Sequence, residues 1–406
     1  MSTLMRLFGR SLAFALLVLG LGAAAVRAQA VGEGYVAISG ATRVNVLDPS
    51  TNTFTSSIGG TGSRNLNLSS DGRLLFSVTF NAVQVVDTAT RTVLASVPTG
   101  NIVIGAVQAA NGNIYSCNNG SGTVSVIDPV TYTVTSTLEI FCGAIAVTPD
   151  GSAVWAPTAT FPPLVIAMAI IDPATNTFTT FPINGLVNVN AIVFSPDGAL
   201  AYVVVNGGGG GQVLVIDTAT HAQVAAIPVG QIPVAIAISP DGNSAYVTNL
   251  TNNNVSVIDT ATNTVVATVP VGAFPRALAF TADGASLYVT NYNSNSISVI
   301  NTATNTVTST FAASPAPWGI VFQQDSDQDG VLNNHDNCPG TPSGDTVDSN
   351  GCSIAQLCPC AGPWKNHGKY VSCVSNSSES FVGAGLITEA QKDDIVSAAG
   401  RSSCGK

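Results

Sequence analysis

The chain has 406 residues, with 13 Lys and Arg against 23 Asp and Glu, a net charge of −10. Only 9% of its residues are charged, so its polar surface is built mostly from Thr, Asn and Ser. There is no basic footprint for a nucleic-acid partner, whereas an acidic chain is open to cations.

Met1 to Ala28 reads as a secretory signal peptide. Arg6 and Arg10 form a charged head, Ser11 to Gly22 an apolar core, and Val26-Arg27-Ala28 a small-residue cleavage site. The core is shorter than the ~20 residues of a membrane-spanning helix, and no cysteine follows it. These features disfavour an uncleaved anchor and a lipoprotein. Its removal leaves 10 basic residues against 23 acidic ones, and no other stretch is long and apolar enough to span a membrane. The mature chain is therefore expected to be exported, to periplasm or extracellular space.

Beyond the signal peptide the chain repeats. An apolar run ends in an acid or amide before a Thr-rich turn at Asp48, Asp87, Asp128, Asp172, Asp217, Asp259 and Asn301. The spacings are 39, 41, 44, 45, 42 and 42 residues. Each unit holds four strand-length apolar segments; in the sixth they are Val234–Ser239, Ser244–Asn249, Asn254–Asp259 and Thr264–Pro270. Val255 and Val257, then Val265, Ala267 and Val269, alternate like half-buried strands, while the first segment is continuously apolar, like a strand buried on both faces. Four short antiparallel strands at this period predict a β-propeller blade.

The tetrapeptide YVTN at Tyr246–Asn249 and Tyr288–Asn291, the SPDG turns at Ser195–Gly198 and Ser239–Gly242, and the VIDTATNTV run resemble the YVTN family of β-propeller repeats over about residues 34–323. The resemblance implies a secreted β-propeller and no single activity, and the seven markers, one per set of four strands, count seven blades. Residues 34–58 supply only three strands: Gly34–Ser39, Arg43–Asp48 and Thr53–Ile58. Their missing innermost partner is Trp318–Phe322, which predicts a ring closed by joining its two ends.

The Asp markers are assigned to turn chemistry, because Asx side chains bond nearby backbone N–H groups and Asn301 stands in for Asp in one unit. Gly207 to Gly211 lacks the Lys and helix of a phosphate loop and reads as a strand connection. Aligning the units gives one residue per blade at the channel mouth: Trp318, Arg64, Ile104, Gly143, Asn190, Val234 and Arg276. Arg64, Arg276 and Trp318 among small apolar residues suit an anionic or planar ligand; the alternative makes both arginines solvated rim residues. His221 aligns with an outer strand at the surface. Cys117 and Cys142 are expected to pair, with two free buried thiols as the alternative.

Composition changes at Gln323. Asp325, Asp327 and Asp329 fall at positions 1, 3 and 5 of a loop, Gly330 at 6, the Val331 carbonyl at 7 and Asp336 at 12. That is the oxygen-ligand spacing of a calcium loop, with Asp in place of Glu at position 12 and no flanking helices. Asn333, Asp345, Asp348 and Asn350 are further candidate ligands. The DxDxDG and DNCP phrases resemble a thrombospondin type 3 repeat over about 325–352, which implies a Cys338–Cys352 bridge.

The tail, 353–406, holds Cys358, Cys360, Cys373 and Cys404. These read as two disulfides with three pairings open, Cys358 to Cys360 being disfavoured. A zinc set with His367 is the other reading. Helical spacing runs over Gly368–Phe381, and a capping box at Thr388 opens a second helix to Ala399. The fold expected is thus all-β, a seven-bladed propeller over 29–323, then a calcium repeat over 324–352 and a cysteine-rich, partly helical tail.

The mouth ring holds no His, Cys, Asp or Glu, so no catalytic or cofactor-binding residue is assigned. The expectation is a non-enzymatic, calcium-binding scaffold whose partner is a protein or glycan on a cell surface or envelope. The alternative is a propeller enzyme of the lactonase or quinoprotein-dehydrogenase kind.

Overall fold

Turn chemistry cuts each repeat into four antiparallel strands. In the sixth they are Pro233–Ile238, Ser244–Asn249, Asn254–Asp259 and Thr264–Pro270, inner to outer. Gly242 takes φ +76° in the first turn, where a side chain would be strained, and Asn253 and Asn263 take left-handed φ in the next two. The computed structural model describes residues 32–405 except 63, 161–164, 184–187, 208–209, 326–328, 330, 334, 339 and 343–344. The signal-peptide segment, 1–28, lies outside the described residues, as do Gly208 and Gly209 of the glycine run.

Seven such four-stranded sheets form the ring. The first joins Gly34–Ile38, Arg43–Asp48 and Thr53–Gly59 to Pro317–Phe322 as the inner strand, with Gly34 opposite Phe322 and Val36 opposite Ile320. The closure is as expected. The described glycines of the run belong to the strands Leu200–Gly207 and Gly210–Asp217, with Gly207 opposite Gly210.

The core lies between blades. Tyr246, Val255, Val257 and Val269 of blade 6 pack on Leu278, Phe280, Leu287 and Val289 of blade 7. This placement corrects two strand readings. The inner strand Pro233–Ile238 is mostly half-buried, because one edge of the blade borders the channel. The third strand, Asn254–Asp259, is buried on both faces apart from its ends, because a blade covers it on each side. The outer strand Thr264–Pro270 is the one that alternates with solvent.

The YVTN phrase has a physical reading. The Tyr246 hydroxyl donates to Asn305 Oδ1 in the next blade at 2.6 Å, and Tyr288 does the same to Asn52 across the closure at 2.6 Å. Burial pushes the Tyr288 phenol up to about 12, with the charges of Asp48 and Asp283 adding to it, so it stays a neutral donor. Asn249 Nδ2 donates to Asn254 Oδ1 and Ser256 Oγ, both at 2.8 Å, tying the second strand to the third.

The Asp markers sit in turns as expected. Asp259 Oδ1 accepts from Thr262 N at 2.7 Å and Thr262 Oγ1 at 2.9 Å. Asn301 accepts the matching pair from Thr304, both at 3.0 Å. The Thr backbone and hydroxyl bonds hold the Asp259 and Asp128 carboxyls below their ordinary value, and Thr220 does so for Asp217. A carboxyl depressed in the folded state contributes stability that is present above its unfolded pKa of 3.8 and is lost as pH falls through the lower folded value. Melting temperature should therefore fall below about pH 4. An Asp128→Asn, Asp217→Asn, Asp259→Asn triple variant should keep the turns and show a shallower acid slope in calorimetry. Equal slopes would remove these turns as the source.

The tail folds on its own disulfides. Helices α1 (Ile354–Leu357), α2 (His367–Gly383) and α3 (Glu389–Arg401) come after the ring, and Thr388 caps α3 through the expected box with Gln391. Its small cluster of Cys358, Val374 and Ala399 is too slight to hold three helices unaided. Bridges Cys358–Cys373 and Cys360–Cys404 supply the rest. With both pairs oxidised, the zinc reading falls: His367 instead bonds the Cys404 and Gly400 carbonyls at 2.7 and 3.1 Å. Cys338 pairs with Cys352 and Cys117 with Cys142, so none of the cysteines is free.

Candidate functional site

All seven residues expected at the channel mouth line one cavity of about 350 Å³. Four of the inner strands are hung on the preceding blade, which fixes their backbones. Thr248 Oγ1 of the first YVTN phrase donates to the Arg276 carbonyl at 3.4 Å, and Thr290 Oγ1 of the second donates to the Trp318 carbonyl at 3.0 Å. Asn190 Nδ2 reaches the Pro233 carbonyl at 2.7 Å and Asn65 Nδ2 the Ile104 carbonyl at 2.6 Å. At Gly319 a Cβ would stand 2.6 Å from the Arg64 carbonyl, so only glycine lets Trp318 and Arg64 come together here.

Cys117 occupies the position of the YVTN threonine in blade 3, within Tyr115-Ser116-Cys117-Asn118. Its bridge to Cys142, next to Gly143 of the ring, makes covalent the cross-blade link that Thr248 and Thr290 make by hydrogen bond.

The side chains build a cationic stack. The Arg276 guanidinium lies 3.5 Å from the Trp318 ring centroid and 5.2 Å from that of Tyr292. Arg64 lies 5.9 Å from Trp318 and 5.7 Å from Phe80. Trp318 and Tyr292 meet edge to face at 5.5 Å. Neither arginine forms a salt bridge among the described residues, and Arg276 Nε is buried without a hydrogen-bond partner. Burial draws the Arg276 pKa below the usual arginine value; the Tyr292 charge opposes this and repulsion from Arg64 adds to it. Arginine remains protonated at neutral pH all the same. Arg276 and Trp318 are thus half-buried and stacked, not solvated rim residues.

Tyr292 and Phe80 were not in the expected ring. Both lie in loops after a second strand, at the position that follows the YVTN asparagine, and that alignment would have found them. Among the described residues no His, Cys, Asp or Glu lines the mouth. His221 is exposed as expected and stacks on Phe181 with centroids 4.6 Å apart.

The acidic loop sits away from the mouth. Asn333 Nδ2 donates to the Ser70 carbonyl, and Gln323 Nε2 to the Gly72 carbonyl, in the turn at the far end of an inner strand. Asp325, Asp329 and Asp336 are 5%, 8% and 7% exposed, deep enough to be costly as bare charges. A Cβ at Gly351 would collide with Asp336 Oδ1 and lie 3.1 Å from Asp329 Oδ2, so two carboxylates converge on one small space. Among the described residues no group of three His, Cys, Asp or Glu meets as a metal centre. Asp327 lies outside the described residues.

The fold and mouth define a seven-bladed β-propeller with a cationic–aromatic channel opening. A family model described as "Lactonase, 7-bladed beta-propeller" matches residues 191–321, the stretch that carries Val234, Arg276, Tyr292 and Trp318. A domain of unknown function, DUF5074, matches residues 20–162. The seven-bladed β-propeller protein Rv1057 of Mycobacterium tuberculosis is 39% identical over 121 residues, 29% of this chain and 30% of that relative. The aligned segment thus spans less than a third of that relative. Among solved structures, Kuenenia stuttgartiensis hydrazine synthase aligns over 70% of this chain and 99% of its own, with TM-score 0.58 and 19% identity. A putative 6-phosphogluconolactonase from Bacteroides fragilis aligns over 71% and 97%, with TM-score 0.58 and 18% identity. The dihydro-heme d1 dehydrogenase NirN aligns over 70% and 64%, with TM-score 0.54 and 18% identity. At these identities the structures speak for the fold alone.

The lactonase match overturns the expectation that the protein is not an enzyme. That expectation counted only acid, base and metal-binding side chains as chemistry. Guanidiniums that stabilise developing negative charge need none of these.

Proposed function

We propose that the ring is a lactonase-type hydrolase whose reaction takes place at the channel mouth. The observation that carries this is the coincidence of the lactonase match with the strands supplying Arg276 and Trp318. As water adds to a lactone carbonyl carbon, its oxygen gains negative charge, and Arg276 and Arg64 are placed to hold it. The ring C–O bond then breaks, and the leaving alkoxide takes up the proton that water gives, leaving a hydroxy acid. Asn65 and Asn190 each give one amide N–H to a carbonyl, and in this reading their Oδ1 atoms accept from that water.

The test is hydrolysis of a lactone panel across pH. With no carboxylate or imidazole at the mouth, kcat/KM should climb steadily between about pH 5 and pH 8, without the bell that a general base gives. A bell centred near neutrality, or no hydrolysis of any lactone, would sink this reading. We also propose that the repeats are of the YVTN type and that the chain is exported, which its four disulfides support. The lactonase match favours this enzyme over the cell-surface scaffold with a protein or glycan partner.

We also propose calcium at the thrombospondin-like loop. The donors available are oxygens: Asp325, Asp329, Asp336, Asp327 and the Val331 carbonyl. That set suits a hard cation, at the 10⁻⁴–10⁻³ M affinity common to extracellular modules. A chelator should expose residues 323–352 to protease while the blades stay folded. Asp329→Ala, Asp336→Ala should abolish the binding heat. Unchanged cleavage and unchanged heat would reduce the loop to an acidic linker.

A further inference from the structure

Around the same mouth stands an apolar collar that the proposed reaction does not use. Phe80 is 54% exposed, Phe141 56%, Ile232 38% and Phe274 36%, each in a loop beside the ring residues. Other large apolar side chains are exposed elsewhere on the ring, but these four fall together at the mouth. Ile232 and Phe274 sit two residues ahead of Val234 and Arg276 with φ of 51° and 55°, a left-handed conformation that a β-branched residue disfavours. It persists because their carbonyls accept from Leu250 N at 3.0 Å and Tyr292 N at 2.9 Å. The same left-handed residue recurs at Ile102 and Ala316, so the repeat itself presents a side chain at this point of the rim in successive blades. The collar thus stands at the rim beside two guanidiniums that have no acidic partner among the described residues, with Phe80 5.7 Å from Arg64.

We propose that the substrate is amphiphilic: a lactone bearing an alkyl chain, with its carbonyl end at Arg64 and Arg276 and its chain on the phenylalanine–isoleucine collar. The inference rests on the lactonase reading for the reaction, and on charge and shape alone for the ligand. A polyhydroxylated sugar lactone would leave its hydroxyls against Phe and Ile without partners, at the cost that unmet hydrogen bonds carry.

The test uses the full-length protein and two separate readouts. Trp318 fluorescence reports binding of butanoate, hexanoate, octanoate and gluconate, and hydrolysis is followed for γ-lactones of matching chain length. Affinity and kcat/KM should each rise roughly threefold per added methylene, and gluconate should bind more weakly than octanoate. Phe141→Ser, Phe274→Ser should flatten the dependence on chain length. Val266→Ser, on an exposed outer strand, should leave it as it was. All three of these side chains are exposed enough that the variants should fold, which melting curves confirm. Lactone hydrolysis that is indifferent to chain length, or gluconate binding tighter than octanoate, would overturn the substrate class while leaving the lactonase standing. Chain-dependent binding of alkanoates with no turnover of any lactone would remove the reaction and keep the amphiphile site.

Discussion

Arg276→Ala should lower kcat/KM for lactone hydrolysis by about 10²–10³, the usual cost of deleting a donor that holds a developing oxyanion. The loss should fall mainly on kcat, because that charge exists only at the transition state. Arg276→Lys should recover little of it. An ammonium cannot lie flat at 3.5 Å on the Trp318 ring, nor present the same fork of donors. The variant should fold, since the bond from Thr248 goes to the Arg276 backbone carbonyl and survives any side chain. Removing an unpaired guanidinium also relieves Arg64 of a like charge, so thermal stability should hold or rise. If the alanine variant keeps its rate within twofold, the reaction lies elsewhere.

A protein ending at residue 314 should fail to form a soluble monomeric ring. It would lose the inner strand Pro317–Phe322, and with it Ile320 and Phe322, 4% and 1% exposed. Burial of each side chain is worth about 1.5–3 kcal/mol. It would also bare the edge of Gly34–Ile38, an open template for pairing with other chains. A milder form of the same test keeps the full length. Gly319→Val sets a branched side chain against the Arg64 backbone, where overpacking costs about 1–3 kcal/mol. Its melting temperature should fall, and the 3.0 Å bond from Thr290 to Trp318 should be the first disturbed. A truncated ring as heat-stable as the full chain would refute closure by this strand.

The repeat made much of this legible. In blade 6 three of four strands have the bounds the turns dictate, and the single-residue alignment at the mouth gathered residues from seven blades into one cavity. Burial was less legible. A five- or six-residue strand shows its own alternation but not which blade lies over it, so Asn254–Asp259 read as half-covered. The tail pairings were open because four cysteines admit three arrangements. They are settled only where α2 carries Cys373 back to Cys358 and the chain returns past His367 to set Cys404 on Cys360. The stack at the mouth was half seen. Arg64, Arg276 and Trp318 fall on the inner-strand position of the repeat, whereas Tyr292 and Phe80 come from a second repeat position, in the loop after the second strand.

The ring's closure also sets a clock. Gln323 and Tyr35 touch across 288 residues of sequence, and the neighbouring strand pair spans a similar length. At about 5–20 residues per second, the first three strands wait tens of seconds after synthesis before their partner exists. For that interval an apolar strand stands ready to join any other chain. Contacts this distant also make for slow folding. The acidic, disulfide-forming segment begins just past the closing strand, so the chain gains its last strand and its charged cap almost together. A cell making this protein must keep nearly the whole ring in an open, protected state until that moment.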